Sequence, residues 1–323
     1  MRRHKVKHKL SITLILLSMF LVTQFIGLFV INVYAPQMVL DPAKGEATAS
    51  LNNELPFGLQ TPEDAKPGPR DLLISFILAF AIIFTLMKYK WKMIIRLWFF
   101  IVVTLALGIT IYAFFLEYTI LTKSLITFIA LAIAIPLSFL KIFRPNMLAH
   151  NTTELLIYPG IAAVFVPILT PVSMIAFLIL ISIYDMWAVW KSGIMQKMAK
   201  FQMEELKIFG GFLIPSLSKK TKAQIAKIKQ KYKNIKIPAK IKQKKFKVNL
   251  AILGGGDVIF PIITAGVFMR AFGLIPALFI IFGALTGLAF LFSITEKGKS
   301  YPAMPYISAG IFLGMLIWKI SLF

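Results

Sequence analysis

Two aspartates stand where carboxylates are costly. Asp185 lies in "ISIYDMWAVWK" and Asp257 in "LGGGDVIFP", both otherwise suited to hydrocarbon. A carboxylate at the centre of a membrane helix costs about 2.5 to 3.5 kcal/mol on the insertion scale. Each glycine before Asp257 weakens a helix by roughly 1 kcal/mol relative to alanine. The chemistry that suits such a placement is proton handling. Two carboxylates sharing one proton can activate water against an amide: one acts as general base on the water, and the other, protonated, polarises the carbonyl. Their mutual repulsion separates the two titrations. The same residue types serve a proton or cation relay in a transporter or leak channel, and the charges alone leave both readings open.

The remaining acids sit in cheaper places. Of 13 Asp and Glu, Asp41, Glu46, Glu54, Glu63, Asp64 and Asp71 fall in or beside one polar loop. Glu204, Glu205 and Glu296 fall in other loops, and Glu117 and Glu154 at the ends of apolar stretches. There is no cysteine, which excludes disulfides, thiol catalysis and cysteine metal sites. His4, His8 and His150 are too scattered to make a metal site.

The elements that must position the pair are membrane spans. The chain has 323 residues, 58% of them hydrophobic, and a mean hydropathy of +0.80. That excess of apolar residues over an ordinary soluble domain predicts an all-α, polytopic membrane protein. Nine apolar stretches have about the right length: 10–33, 71–88, 93–116, 120–140, 153–170, 172–190, 248–269, 273–294 and 301–320. The fifth is the weakest, being short and carrying Pro159 and Pro167. The first has a basic start but lacks a clear small-residue cleavage site before Pro36, so it reads as a retained span rather than a signal peptide.

Lys and Arg set the orientation. With the N-terminus inside, the inner segments 1–9, 88–96, 141–144, 191–247 and 297–299 hold 30 of the 36 basic residues. The expected topology is N-terminus cytoplasmic and C-terminus outside. The net charge of +23 is thus concentrated on one membrane side and does not imply nucleic acid. The outer segment 34–70, rich in proline, glycine and acids, reads as a loop. The long inner segment 191–247 divides the chain into a six-span part (1–190), a basic cytoplasmic loop (191–247) and a three-span part (248–323). Within the loop, Ile225, Ile228, Tyr232 and Ile235 recur at helical spacing among lysines. That fits an amphipathic helix on anionic lipid or a nucleic-acid contact, as well as a solvated positive-inside loop, which is the favoured reading. "KIFGGFLIPS" (Lys207 to Ser216) either covers the site from below or runs along the membrane surface. Asn151 begins an "NTT" sequon, but on this topology it faces inside.

Depth brings the two aspartates together. Asp185 lies six residues before Lys191 and Asp257 ten after Lys247, roughly 9 and 15 Å below the inner surface at about 1.5 Å per residue. Adjacent spans, similar depth and one leaflet make a facing pair reasonable. Glycines before Asp257 allow close backbone approach and local unwinding, which at this depth survives only beside protein or water.

Three motifs in order then carry a resemblance. "IYDMWAV" (Ile183 to Val189) resembles the tyrosine–aspartate motif in the sixth span of presenilin and signal peptide peptidase. "GGGD" (Gly254 to Asp257) fits their G-x-G-D motif in the seventh. "YPAMP" (Tyr301 to Pro305) is similar to their P-A-L motif at the start of the ninth. The chain resembles a compact, archaeal-type member of that family. The resemblance implies an intramembrane aspartyl protease of the G-x-G-D type, with Asp185 and Asp257 catalytic. It implies that Tyr184 shapes the first aspartate's surroundings and that Gly254 and Gly256 allow close approach at the second. It places Pro302, Ala303 and Met304 against substrate at the border of the active site. Met304 stands where the family has leucine, a swap that conserves volume and polarity. Gly255 occupies the variable position. Trp187 and Trp190 read as interfacial anchors.

The implied substrates are transmembrane helices of other proteins, locally unwound because a helical amide is hydrogen-bonded and shielded. The implied partners are those helices and membrane lipid. No cofactor or metal is expected, since the pair supplies both acid and base. The alternatives are a prepilin-type peptidase, which shares G-x-G-D but not the P-A-L-like segment or nine spans, and an ion channel or transporter using the same acids.

Overall fold

The structure, a computed structural model, describes residues 10–35, 37–40, 47–50, 55–59, 91–192, 208–217, 248–296 and 301–321, with scattered residues of 70–85. Eight α-helices are described: α1 (Leu10–Val33), α2 (Lys92–Tyr118), α3 (Lys123–Phe143), α4 (Met147–Phe165), α5 (Pro171–Trp187), α6 (Gly255–Phe272), α7 (Leu274–Ile294) and α8 (Met304–Ile320). Seven, counting short extensions of α4 and α5, are long and apolar enough to cross a membrane, and α8 is a shorter apolar helix. The chain is an integral, multi-pass helical membrane protein. The expected stretch 71–88 and the amphipathic segment 225–235 fall largely or wholly outside the described residues.

Two antiparallel hairpins accompany the helices: β1 (Gln37–Leu40) with β2 (Ala47–Ser50), and β3 (Gly211–Leu217) with β4 (Val248–Gly254). The second changes one expected boundary. The stretch 248–269 does not begin as a helix. Residues 248–254 form β4, and α6 starts only at Gly255. Three consecutive glycines make a poor helical turn, and the run before them pairs with β3, Gly211 opposite Gly254 and Leu213 opposite Ile252. "GFLIPSL" is therefore a strand beside the site.

The fifth stretch differs in the other direction. Helix α4 begins at Met147, where the Asn146 side chain caps the Leu148 N–H at 3.2 Å. His150, Asn151 and Glu154 are thus helical, and His150 and Glu154 are buried, Glu154 inside the helix rather than at a span end. Glu154, 1% exposed, accepts from Lys141, 5% exposed, across α3 and α4. A buried carboxylate is tolerated there because it is paired.

Two apolar clusters form the core. One joins α1, α4, α5, α6, α7 and α8 with β3 and β4, and the other joins α1 and α4 with α2 and α3. Helices α1 and α4 are common to both. Helices α7 and α8 approach through small residues. A Cβ added at Gly283 would run into the Gly310 carbonyl, and one at Gly314 into the Phe279 carbonyl. Gly283 and Gly287 on α7, and Gly310 and Gly314 on α8, each lie four residues apart, the spacing that permits close helix packing in lipid. This contact fixes α8, whose first residues enter the site.

Candidate active site

Asp185 lies in the last turn of α5 and is 8% exposed. Its Oδ2 accepts the backbone N–H of Met304 at 3.0 Å, and the Ala303 N–H is a second donor to the same carboxyl. The helix runs on past Asp185 as a short π-helix over Ala188–Ser192. The N-terminus of α8 faces the carboxyl, a favourable neighbour for a negative charge. Pro302 explains why those donors are available. It has no N–H and resists being wound into a helix, so α8 starts at Met304 and the N–H groups of Ala303 and Met304 need no helical partner. The helix closes on itself from there, with the N–H of Tyr306 and of Ile307 donating to the Ala303 carbonyl at 3.2 and 3.1 Å. One turn away, the Ser182 hydroxyl donates to the Ser308 hydroxyl at 2.9 Å and ties α5 to α8 again.

Asp257 is the third residue of α6 and is partly buried. The Gly254 backbone is hydrogen-bonded to its carboxyl, as in the N-cap half of a capping box. A Cβ on Gly254 would lie 3.1 Å from Asp257 Oδ2, a tight contact that would push the carboxyl by a few tenths of an ångström. Gly256 is exposed, and a Cβ there would meet only Phe260 at ordinary contact distance. Pro261 lacks the N–H that would bond the Asp257 carbonyl four residues earlier. Helices α5 and α6 pack together, with Phe177 edge-on to Phe260 at 5.7 Å. The Asp185 and Asp257 carboxyls lie within electrostatic reach of each other.

The residues singled out in the sequence thus converge: Asp185 with Ala303 and Met304 directly, Asp257 with Gly254, and each aspartate with the other. Tyr184 is partly buried beside Asp185, its ring 6.2 Å from that of Trp187. Trp187 and Trp190 are exposed. Among the described residues, no group of three or more His, Asp and Glu could hold a metal ion.

Sequence reasoning missed the supports behind Asp257. Gln24 on α1, fully buried, donates from Nε2 to the Val258 carbonyl at 3.0 Å. Asn151 on α4 donates to the Leu213 carbonyl at 2.8 Å and accepts the Leu213 N–H at 3.0 Å. His150 Nε2 donates to the Gly211 carbonyl at 2.8 Å, which leaves Nδ1 facing Lys141 Nζ at 3.4 Å. These bonds hold β3, and β3 holds the strand that ends in Gly254.

Residues 58–322 match the family model described as signal-peptide peptidase, presenilin aspartyl protease. The chain belongs to this family of intramembrane aspartyl proteases. It is similar to two solved structures of a presenilin family intramembrane aspartate protease, one in space group C222 and one in P2. The first has a TM-score of 0.59 at 19% identity, covering 96% of this chain and 99% of the other. The second has a TM-score of 0.57 at 19% identity, covering 95% and 96%. At that identity the likeness speaks to the fold. No curated protein matches the chain significantly.

Proposed function

We propose that this chain is a G-x-G-D intramembrane endopeptidase in which Asp185 and Asp257 hydrolyse peptide bonds within transmembrane helices of other proteins. One carboxylate takes a proton from water as the water attacks the amide carbon, and the other, protonated, donates to the carbonyl oxygen. The tetrahedral diol then collapses: the C–N bond breaks as the departing amine takes a proton from one carboxyl, and a diol hydroxyl returns its proton to the other, which restores the singly protonated pair. No other reagent enters. The observation that carries this reading is the convergence of Asp185, Asp257 and the N-terminus of α8 at one place.

The geometry supports an extended substrate. Asn151 uses the N–H and carbonyl of Leu213, which therefore point away from β4. In an antiparallel register the facing Ile252 then turns its own N–H and carbonyl to the outer edge of β4. An unwound substrate segment could meet that edge beside Gly254. In this reading Pro302, Ala303 and Met304 would border the substrate beside Asp185, and Tyr184 would shape the surroundings of that aspartate. The basic-residue asymmetry supports an orientation with the N-terminus and the site on the cytoplasmic side, the C-terminus outside, and 191–247 as a cytoplasmic loop between the two aspartate-bearing parts.

Purified protein in liposomes should cut a single-span peptide at a bond inside its apolar segment, read by the masses of the two products. A channel or transporter built on the same acids would pass ions and leave the peptide intact.

A further inference from the structure

Among the described residues, two buried side-chain polar atoms have no hydrogen-bond partner, the Tyr158 hydroxyl and Gln24 Oε1. Both side chains border the first turn of α6. Tyr158, on α4, is 5% exposed, and its ring meets that of Phe212 on β3 edge-on at 6.0 Å. Its hydroxyl lies so close to Gly255 that a Cβ there would sit 2.6 Å from it. Gln24 braces the same turn from α1 through the Val258 carbonyl. Asp257 lies between these two backbone contacts, within electrostatic reach of Tyr158. The hydroxyl stands between two carboxyls, Glu154 on its own helix first and Asp257 second, and neither meets it in good hydrogen-bond geometry, a costly state for a buried donor.

We propose that Tyr158 is a positioning residue for Asp257, its ring supporting the glycine turn and its hydroxyl donating a hydrogen bond to the aspartate during turnover. This rests on the reading of Asp185 and Asp257 as the catalytic pair. The phenol is neutral at working pH. It therefore orients the carboxylate and does not replace it as base. Its own place is set by what surrounds it. Glu154 lies one turn earlier on α4 and is paired with Lys141. His150 and Asn151 hold the strand that carries Phe212. Gly255 then has a role of its own: it makes room for the hydroxyl.

The test compares Tyr158→Phe, Gly255→Ala and the double variant with wild type. The readouts are kcat and KM on a single-span peptide, counted per site titrated with a hydroxyethylene isostere, with Tm alongside. Tyr158→Phe keeps the ring, so Tm and KM should hold while kcat falls roughly tenfold to a hundredfold, the loss expected for one hydrogen bond to a charged group. Gly255→Ala should lower kcat further in the wild-type background than in the Tyr158→Phe background, because the hydroxyl is its nearest obstacle. A wild-type kcat in Tyr158→Phe overturns the inference, as does a loss tracked by an equal loss of Tm. Those results leave the proposed function standing if Asp257→Asn is inactive. An active Asp257→Asn removes the underlying reading instead.

Discussion

Asp185 accepts the backbone N–H of Met304 at 3.0 Å, across 119 residues of sequence. A side chain on one helix is held by the unspent donors at the start of another. Those donors are unspent because Pro302 stops α8 from extending backwards. The link makes the "YPAMP" segment part of the aspartate's own support rather than a neighbour of it.

Pro302→Leu restores an N–H and lets the first turn of α8 wind back. The donors to Asp185 should then shift, and a displacement of about 1 Å at a reacting group can cost on the order of a hundredfold in rate. Met304→Leu leaves the backbone N–H and nearly the same volume. It should keep most activity, with a stability change under about 1.5 kcal/mol. Cleavage rates of the two variants, with Tm measured beside them, check the asymmetry. Equal rates in the two would remove the backbone role of Pro302.

Lys141 and Glu154 are both buried and paired. Lys141→Met strands the Glu154 carboxylate and should destabilise by about 3 to 5 kcal/mol, whereas the double change Lys141→Met with Glu154→Leu should come out near neutral or better. Thermal unfolding in detergent distinguishes the two. If the double variant is as damaged as the single, the pair does more than neutralise itself.

Activity should fall on both sides of a pH optimum, because the reaction needs one protonated and one ionised carboxyl. Below the optimum both carboxyls are protonated and no base remains. Above it both are ionised and no acid remains. The measurement is kcat/KM across the range in which the protein stays folded, and a flat profile there would speak against a shared proton.

The membrane class and the meeting of three motifs were legible because they follow from short, charge-marked patterns. Asp185 and Asp257 stood out as acids within apolar runs, but the depth counted for Asp257 from Lys247 assumes a helix where 248–254 is strand β4. The β3–β4 hairpin was not legible. "GFLIPSL" and "VNLAILG" are short apolar runs that periodicity cannot assign, and a lysine-rich segment separates them. The burial of Lys141, His150 and Glu154 was hidden too. Each sits near the end of an apolar stretch and looks solvated alone, and only pairing between two adjacent helices makes the interior tolerable. The glycine pairs Gly283/Gly287 and Gly310/Gly314 did carry a signal, since their four-residue spacing is the one that lets helices touch in lipid.

The central claim is that Asp185 and Asp257 act together on water. Its most direct measurement is the single-turnover cleavage rate of a single-span peptide by Asp185→Asn and Asp257→Asn in liposomes, with Tm taken for each. An amide keeps the shape of the carboxyl but cannot exchange the required proton. Each variant should therefore stay folded and lose at least about a hundredfold to ten-thousandfold in rate. A stably folded variant of either kind that cleaves at the wild-type rate would contradict the account.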